Sequence, residues 1–99
     1  MITMYILVTY DVETVTRSGA SRLRKVAKIC VNHGKRVQNS VFECLLTEAQ
    51  FTYMKNQIDG IIDKDSDSVR FYFLGKNWDR KIETLGKSNG VDLDGELII

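Results

Sequence analysis

The sequence predicts an α+β fold with the element order strand, helix, strand, strand, helix, strand. Two stretches repeat apolar residues at helical spacing, Leu23 to Val31 and Phe51 to Ile62. Short runs rich in aromatic and β-branched residues alternate with them. The length of 99 residues allows one domain with a modest core.

Met4 to Tyr10 reads as the first strand. Met4, Ile6 and Val8 share one face, with Tyr5 and Leu7 on the other, so both faces need cover. Val12 to Ser21 is polar, contains Gly19 and reads mostly as loop. The first helix follows, with Leu23, Val26, Ala27, Cys30 and Val31 as its stripe. Gly34 is expected as the C′ residue with positive φ, and His33 as a last-turn residue near the negative end of the dipole.

"KRVQNSVFECLL" reads as two strands with a tight turn or bulge near Asn39 and Ser40. Val41 and Leu45 fall on one face, Phe42, Cys44 and Leu46 on the other. Thr47 with Gln50 forms a capping box. The second helix runs to about Ile62 on a stripe of Phe51, Met54, Ile58, Ile61 and Ile62, its last turn weakened by Gly60.

Asp63, Asp65 and Asp67 follow in a loop. A calcium loop needs glycine at its sixth position and glutamate at its twelfth, where this chain has Ser68 and Leu74. A solvated acidic loop is therefore expected. Val69 to Leu74 is the next strand, with Val69, Phe71 and Phe73 against Tyr72 and Leu74. Gly75 to Gly95 is polar and dotted with glycine, with Trp78 as its one large anchor. The terminal "ELII" reads as a short extra strand.

That order is the ferredoxin-like βαββαβ arrangement, an antiparallel sheet with both helices on one face. One domain spans 1–99, with 75–99 a C-terminal extension. The face left bare is expected to be buried by a second copy, sheet to sheet about a two-fold axis, and the extension to serve that homodimer.

The net charge of +1 hides an asymmetry. Between Thr14 and Phe42 there is no acid, while Arg17, Arg22, Arg24, Lys25, Lys28, Lys35 and Arg36 give a local charge of +7. The rest of the chain carries −6. Such segregation points to a polyanion such as nucleic acid.

Other classes are excluded or disfavoured. No apolar run reaches the ~18 residues of a membrane span. The start lacks the pattern of a secretory signal, so a cytoplasmic location is expected. Cys30 and Cys44 lie in apolar segments and are expected as free buried thiols. With one histidine and no CxxC, the chain cannot fill a four-ligand zinc site or supply a two-histidine acid–base pair. "VRFYFLGK" lacks the early glycine that an RNA-recognition motif requires.

"LVTYDV", "RLRKVAKICVNHGKRVQNSVFECLL", "VRFYFLGKNW" and the ending "VDLDGELII" together resemble the CRISPR-associated Cas-two family. The resemblance implies a ferredoxin-like homodimer and a role in spacer acquisition with the Cas-one integrase. It implies a metal-dependent endonuclease acting on double-stranded DNA or RNA, with Mg2+ or Mn2+ as cofactor. Asp11 matches the family's metal ligand and Tyr10 the aromatic beside it, and the two are the expected catalytic residues. Arg22, Arg24, Lys25 and Lys28 match the basic first helix, with Arg17 just before it, for nucleic-acid binding. Arg36, Ser40 and Phe42 fall on the family's motif after that helix, Arg36 as a nucleic-acid contact and the other two as support.

On residues alone, Asp11 could equally end a strand as a turn former. One carboxylate per chain is thin for phosphodiester hydrolysis, so a site shared by Asp11 from both protomers is expected. The alternatives are a DNA-binding scaffold dimer without essential chemistry and a toxin-type ribonuclease of similar fold.

Overall fold

The computed structural model describes residues 2–74 and 81–87. Seven elements follow in order: β1 (Thr3–Asp11), α1 (Arg17–His33), β2 (Gly34–Gln38), β3 (Val41–Thr47), α2 (Glu48–Asp59), β4 (Ser68–Phe73) and β5 (Lys81–Gly86). They form one five-stranded sheet in the order β2-β3-β1-β4-β5, with every neighbouring pair antiparallel. The expected ferredoxin-like core is present, with β5 added beside β4.

Register decides which side chains share a face. Ile6 stands opposite Cys44 on β3 and Phe73 on β4, and Val8 opposite Phe42 and Phe71. These residues, with Phe73 only partly buried against the rest, form one cluster with Val26, Ile29 and Cys30 of α1 and Phe51, Met54 and Ile58 of α2. Both helices therefore cover the same face. On the other face Leu7 is half-buried, while Tyr5 and Leu45 are 41% and 67% exposed. Among the described residues no layer covers that face.

Several local readings hold. Thr47 accepts from the Gln50 amide at 3.2 Å, and Gln50 Oε1 accepts from the Thr47 amide at 2.8 Å, closing the capping box. The β2–β3 turn lies at Asn39–Ser40, with a register shift between Arg36 and Gln38. His33 ends α1, and its Nε2 lies 3.2 Å from Gln57 Oε1 on α2. Cys30 and Cys44 are free and buried, and burial pushes their thiols up to about 12 and about 11. They stay protonated at neutral pH.

Others are corrected. α1 begins at Arg17, inside the stretch read as loop, because Thr16 caps it by accepting from the Gly19 amide at 3.0 Å. Ile29 replaces Val31 in the stripe; Val31 is 55% exposed and Ile29 only 8%. Gly34 is extended at φ −162°, not left-handed. Glycine is needed there for space, since a Cβ would lie 2.4 Å from Cys44 Sγ. α2 stops at Asp59, yet Ile62 beyond it is still buried.

The segment from Gly75 onward also differs. Lys81–Gly86 pairs along the whole of β4, in a polar, glycine-dotted stretch to which the sequence assigned no element. Trp78 and "ELII" lie outside the described residues. The acidic loop is not wholly solvated either, because Asp67 is fully buried.

Candidate nucleic-acid and metal site

β1 ends on Asp11, paired with Ser68 of β4. Strand alternation sends Ile6, Val8 and Tyr10 toward the helices and Thr9 and Asp11 to the bare face. Asp11 is exposed, and among the described residues no hydrogen bond or ion pair engages its carboxylate. It lies on the lip between two hollows.

The larger hollow, about 540 Å³, lies between the end of β1, one side of α1 and the β2–β3 turn. Tyr10, Asp11, Arg24, Arg36 and Ser40 line it, so the fold brings together five residues expected from the sequence. Val12, Leu23, Ala27 and Asn39 complete the lining. The Arg36 guanidinium sits over the Phe42 ring, 5.0 Å from its centre. Phe42 itself is fully buried and stacks with Tyr10 at 6.1 Å.

Tyr10, expected beside Asp11 as a catalytic residue, lines the same hollow. Only 6% exposed, it donates from its hydroxyl to the Asn39 carbonyl at 3.2 Å. Its amide donates to the Ser40 carbonyl at 3.2 Å. Tyr10 thus fastens the β2–β3 turn to the end of β1 and shapes the hollow's wall.

Arg22 is likewise engaged elsewhere. Its Nε donates to Asp67 Oδ2 at 2.7 Å and its Nη2 lies 3.5 Å from Glu13 Oε2, leaving the side chain 16% exposed. Asp67 also accepts from the amides of Glu13 at 3.0 Å and Asp63 at 2.9 Å. Burial alone would raise the Asp67 carboxyl, but Arg22 and these amides outweigh it and hold its pKa below the usual value. The guanidinium expected on a phosphate is therefore held by an internal carboxylate. Arg17, Arg24, Lys25 and Lys28 remain exposed on α1, and among the described residues no acid pairs with them.

The smaller hollow, about 210 Å³ on the bare face, is lined by Thr9, Tyr10, Asp11, Ser68, Arg70 and Tyr72. Arg70 is the basic residue that the charge count passed over. Its Nη1 lies 3.5 Å from the Tyr72 hydroxyl, and its Cα partner across the ladder is Thr9, two residues from Asp11. The alternation of "SVRFYF" assigns Arg70 to the face opposite Val69 and Phe71, yet nothing local tells which strand lies beside it.

Among the described residues no group of three or more His, Cys, Asp or Glu could hold a metal ion. None of their helices is long and apolar enough to cross a membrane.

The fold defines a ferredoxin-like α+β protein in which the Asp11 carboxylate, unpartnered among the described residues, is set among arginines. The chain belongs to the family described as CRISPR associated protein Cas2, the Cas-two family, whose model matches residues 4–82. It is 48% identical over 95 residues to the CRISPR-associated endonuclease Cas2 of Halalkalibacterium halodurans, covering 96% of this chain and 99% of that one. It is 48% identical over 96 residues to the CRISPR-associated endoribonuclease Cas2 of Chlorobaculum tepidum, covering 97% and 100%. The crystal structure of Streptococcus pyogenes Cas2 at pH 6.5 superposes with a TM-score of 0.69 at 60% identity, covering 84% of this chain and all of that one.

Proposed function

We propose that this chain is a metal-dependent endonuclease of the spacer-acquisition machinery, working as a homodimer with the Cas-one integrase in the cytoplasm. The observation that carries it is Asp11, a free carboxylate at a strand end between hollows lined by Arg24, Arg36 and Arg70. The relatives' names, endonuclease and endoribonuclease, support phosphodiester cleavage and leave both DNA and RNA as substrates.

The donors at Asp11 are hard oxygens, its carboxylate with the hydroxyl-bearing Thr9 and Ser68 in the same hollow, and they suit Mg2+ or Mn2+. One carboxylate per chain favours a site completed by Asp11 of a second copy, with the bare sheet face as the dimer surface. When bound, the ion offsets charge developing on the phosphoryl oxygens. The chain's own residues orient the substrate: Arg24 and Arg36 grip phosphate on one side of Asp11, and Arg70 faces it on the other. Tyr10 holds the turn that carries Ser40. Cleavage of a duplex DNA and of a single-stranded RNA, each followed with magnesium and with excess chelator, tests this reading. Cleavage is expected with the metal alone, and equal cleavage in chelator would overturn it.

The exposed bases of α1 also favour a scaffold reading, in which the dimer positions DNA for the integrase. Replacing Arg24, Lys25 and Lys28 together by glutamine should weaken duplex binding irrespective of sequence. The logarithmic salt slope should fall by about one for each phosphate that the variant no longer neutralises. Arg22→Gln should instead act chiefly on stability. An unchanged slope in the triple variant would make that helix face merely solvated.

A further inference from the structure

Resting on the nucleic-acid reading above, we propose that the larger hollow beside Asp11 is a pocket for a single unpaired nucleotide. Its base lies against Leu23 and Ala27, and its phosphate between Arg24 and Arg36. The chain therefore engages strand ends or single strands in preference to fully paired duplex.

The lining carries the inference. Gripping a run of backbone phosphates needs only cations on a surface. Here a hollow of about 540 Å³, within the ~300–1,000 Å³ range of small-molecule pockets, has an apolar wall and a cationic rim. The wall is Leu23 and Ala27, both half-buried on α1 one turn apart, with Val12 beneath. Such a wall suits the flat apolar face of a base. Arg24 is exposed and without an acid partner among the described residues. Arg36 is held over the Phe42 ring, its guanidinium carbon 5.0 Å from the ring centre, at the rim where a phosphate would sit.

Asn39 and Ser40 add an amide and a hydroxyl for the base edge. The pocket is preformed, because the Tyr10 hydroxyl and amide already bind the backbone of Asn39 and Ser40. A paired base has its faces in the stack and its edge in the pair, so it cannot enter. An unpaired one can.

Fluorescence anisotropy on the full chain would compare a blunt DNA duplex with the same duplex bearing a short unpaired tail. The tailed duplex should bind about tenfold more tightly, the order of one stacked base. Ala27→Leu fills the hollow without removing a charge or a strong helix former. It should bring the tailed duplex down to the blunt one's affinity with the salt slope unchanged. In the wild-type chain, 2-aminopurine placed in the tail should change its emission on binding, and the same base placed within the duplex should not. DNA tails, RNA tails and free thymidine monophosphate as competitor separate the sources of the nucleotide. Equal affinity for blunt and tailed duplex, with no change in 2-aminopurine emission, would overturn the pocket and leave the nuclease reading standing. Binding of neither duplex, and of no single-stranded DNA or RNA of the tail sequence, would overturn both.

Discussion

Asp67→Ala should cost about 3–5 kcal/mol of folding stability, the largest loss from any single charged residue among the described residues. A domain of this size holds about 5–15 kcal/mol in all, so the variant would be marginal. The carboxylate is fully buried and engages Arg22, the Glu13 amide and the Asp63 amide. Its removal takes the acceptor from the Nε of a mostly buried guanidinium and from two amides. Urea unfolding followed by circular dichroism should show the midpoint falling by more than about 1 M, from the usual slopes of small proteins. Asp67→Asn keeps an acceptor for the amides but loses the charge, and should fall between.

The pH dependence has a fixed sign. A carboxyl held below its ordinary value of 3.8 in the folded state adds stability that is fully present above that value. This stability is lost as pH falls through the lower, folded value. The wild type should therefore weaken below about pH 4, and Asp67→Ala should lack that component. A midpoint for Asp67→Ala within experimental error of the wild type would show that the ion pair adds nothing.

Asp11→Asn should lower metal-dependent cleavage more than about a hundredfold while leaving the fold intact. Loss of groups that merely orient metal ligands costs about ten- to a hundredfold, so loss of a charged ligand should cost more. Asp11 is exposed and has no internal partner among the described residues. Its replacement should shift stability by no more than about 0.5 kcal/mol, so lost cleavage would not be lost folding. The same variant separates the two functional readings. If spacer integration with the Cas-one integrase survives while cleavage disappears, the scaffold role dominates. Full cleavage by purified Asp11→Ala would remove Asp11 from the chemistry.

Much of the candidate site was legible along the chain because its signals are local. The abrupt change from apolar run to acid at Asp11, the acid-free basic stretch and the tight turn at Asn39–Ser40 each depend on neighbours a few residues away. The strand alternation of β1 and the capping box at Thr47 and Gln50 are local in the same sense. Propensity and periodicity report such features.

By itself the sequence determined the order of the first six elements, the two-sided apolar character of the sheet, the end of β1 at an acid and the sign of the charge around it. Only the tertiary structure decided which of those charges are free. Arg22 and Asp67 are 45 positions apart and read separately as a phosphate contact and a solvated acid. They become one buried pair because the fold brings the first turns of α1 beside the loop that ends at Asp67. Arg70 joins Asp11 only because β4 pairs with β1. Gly34 reads as a helix cap and proves to be a point of close approach to Cys44. β5 has too weak an apolar pattern to announce itself, and exists as a partner for the edge of β4. In each case the deciding contact joins segments far apart in the chain, whose pairing depends on closing the whole sheet and not on any local preference.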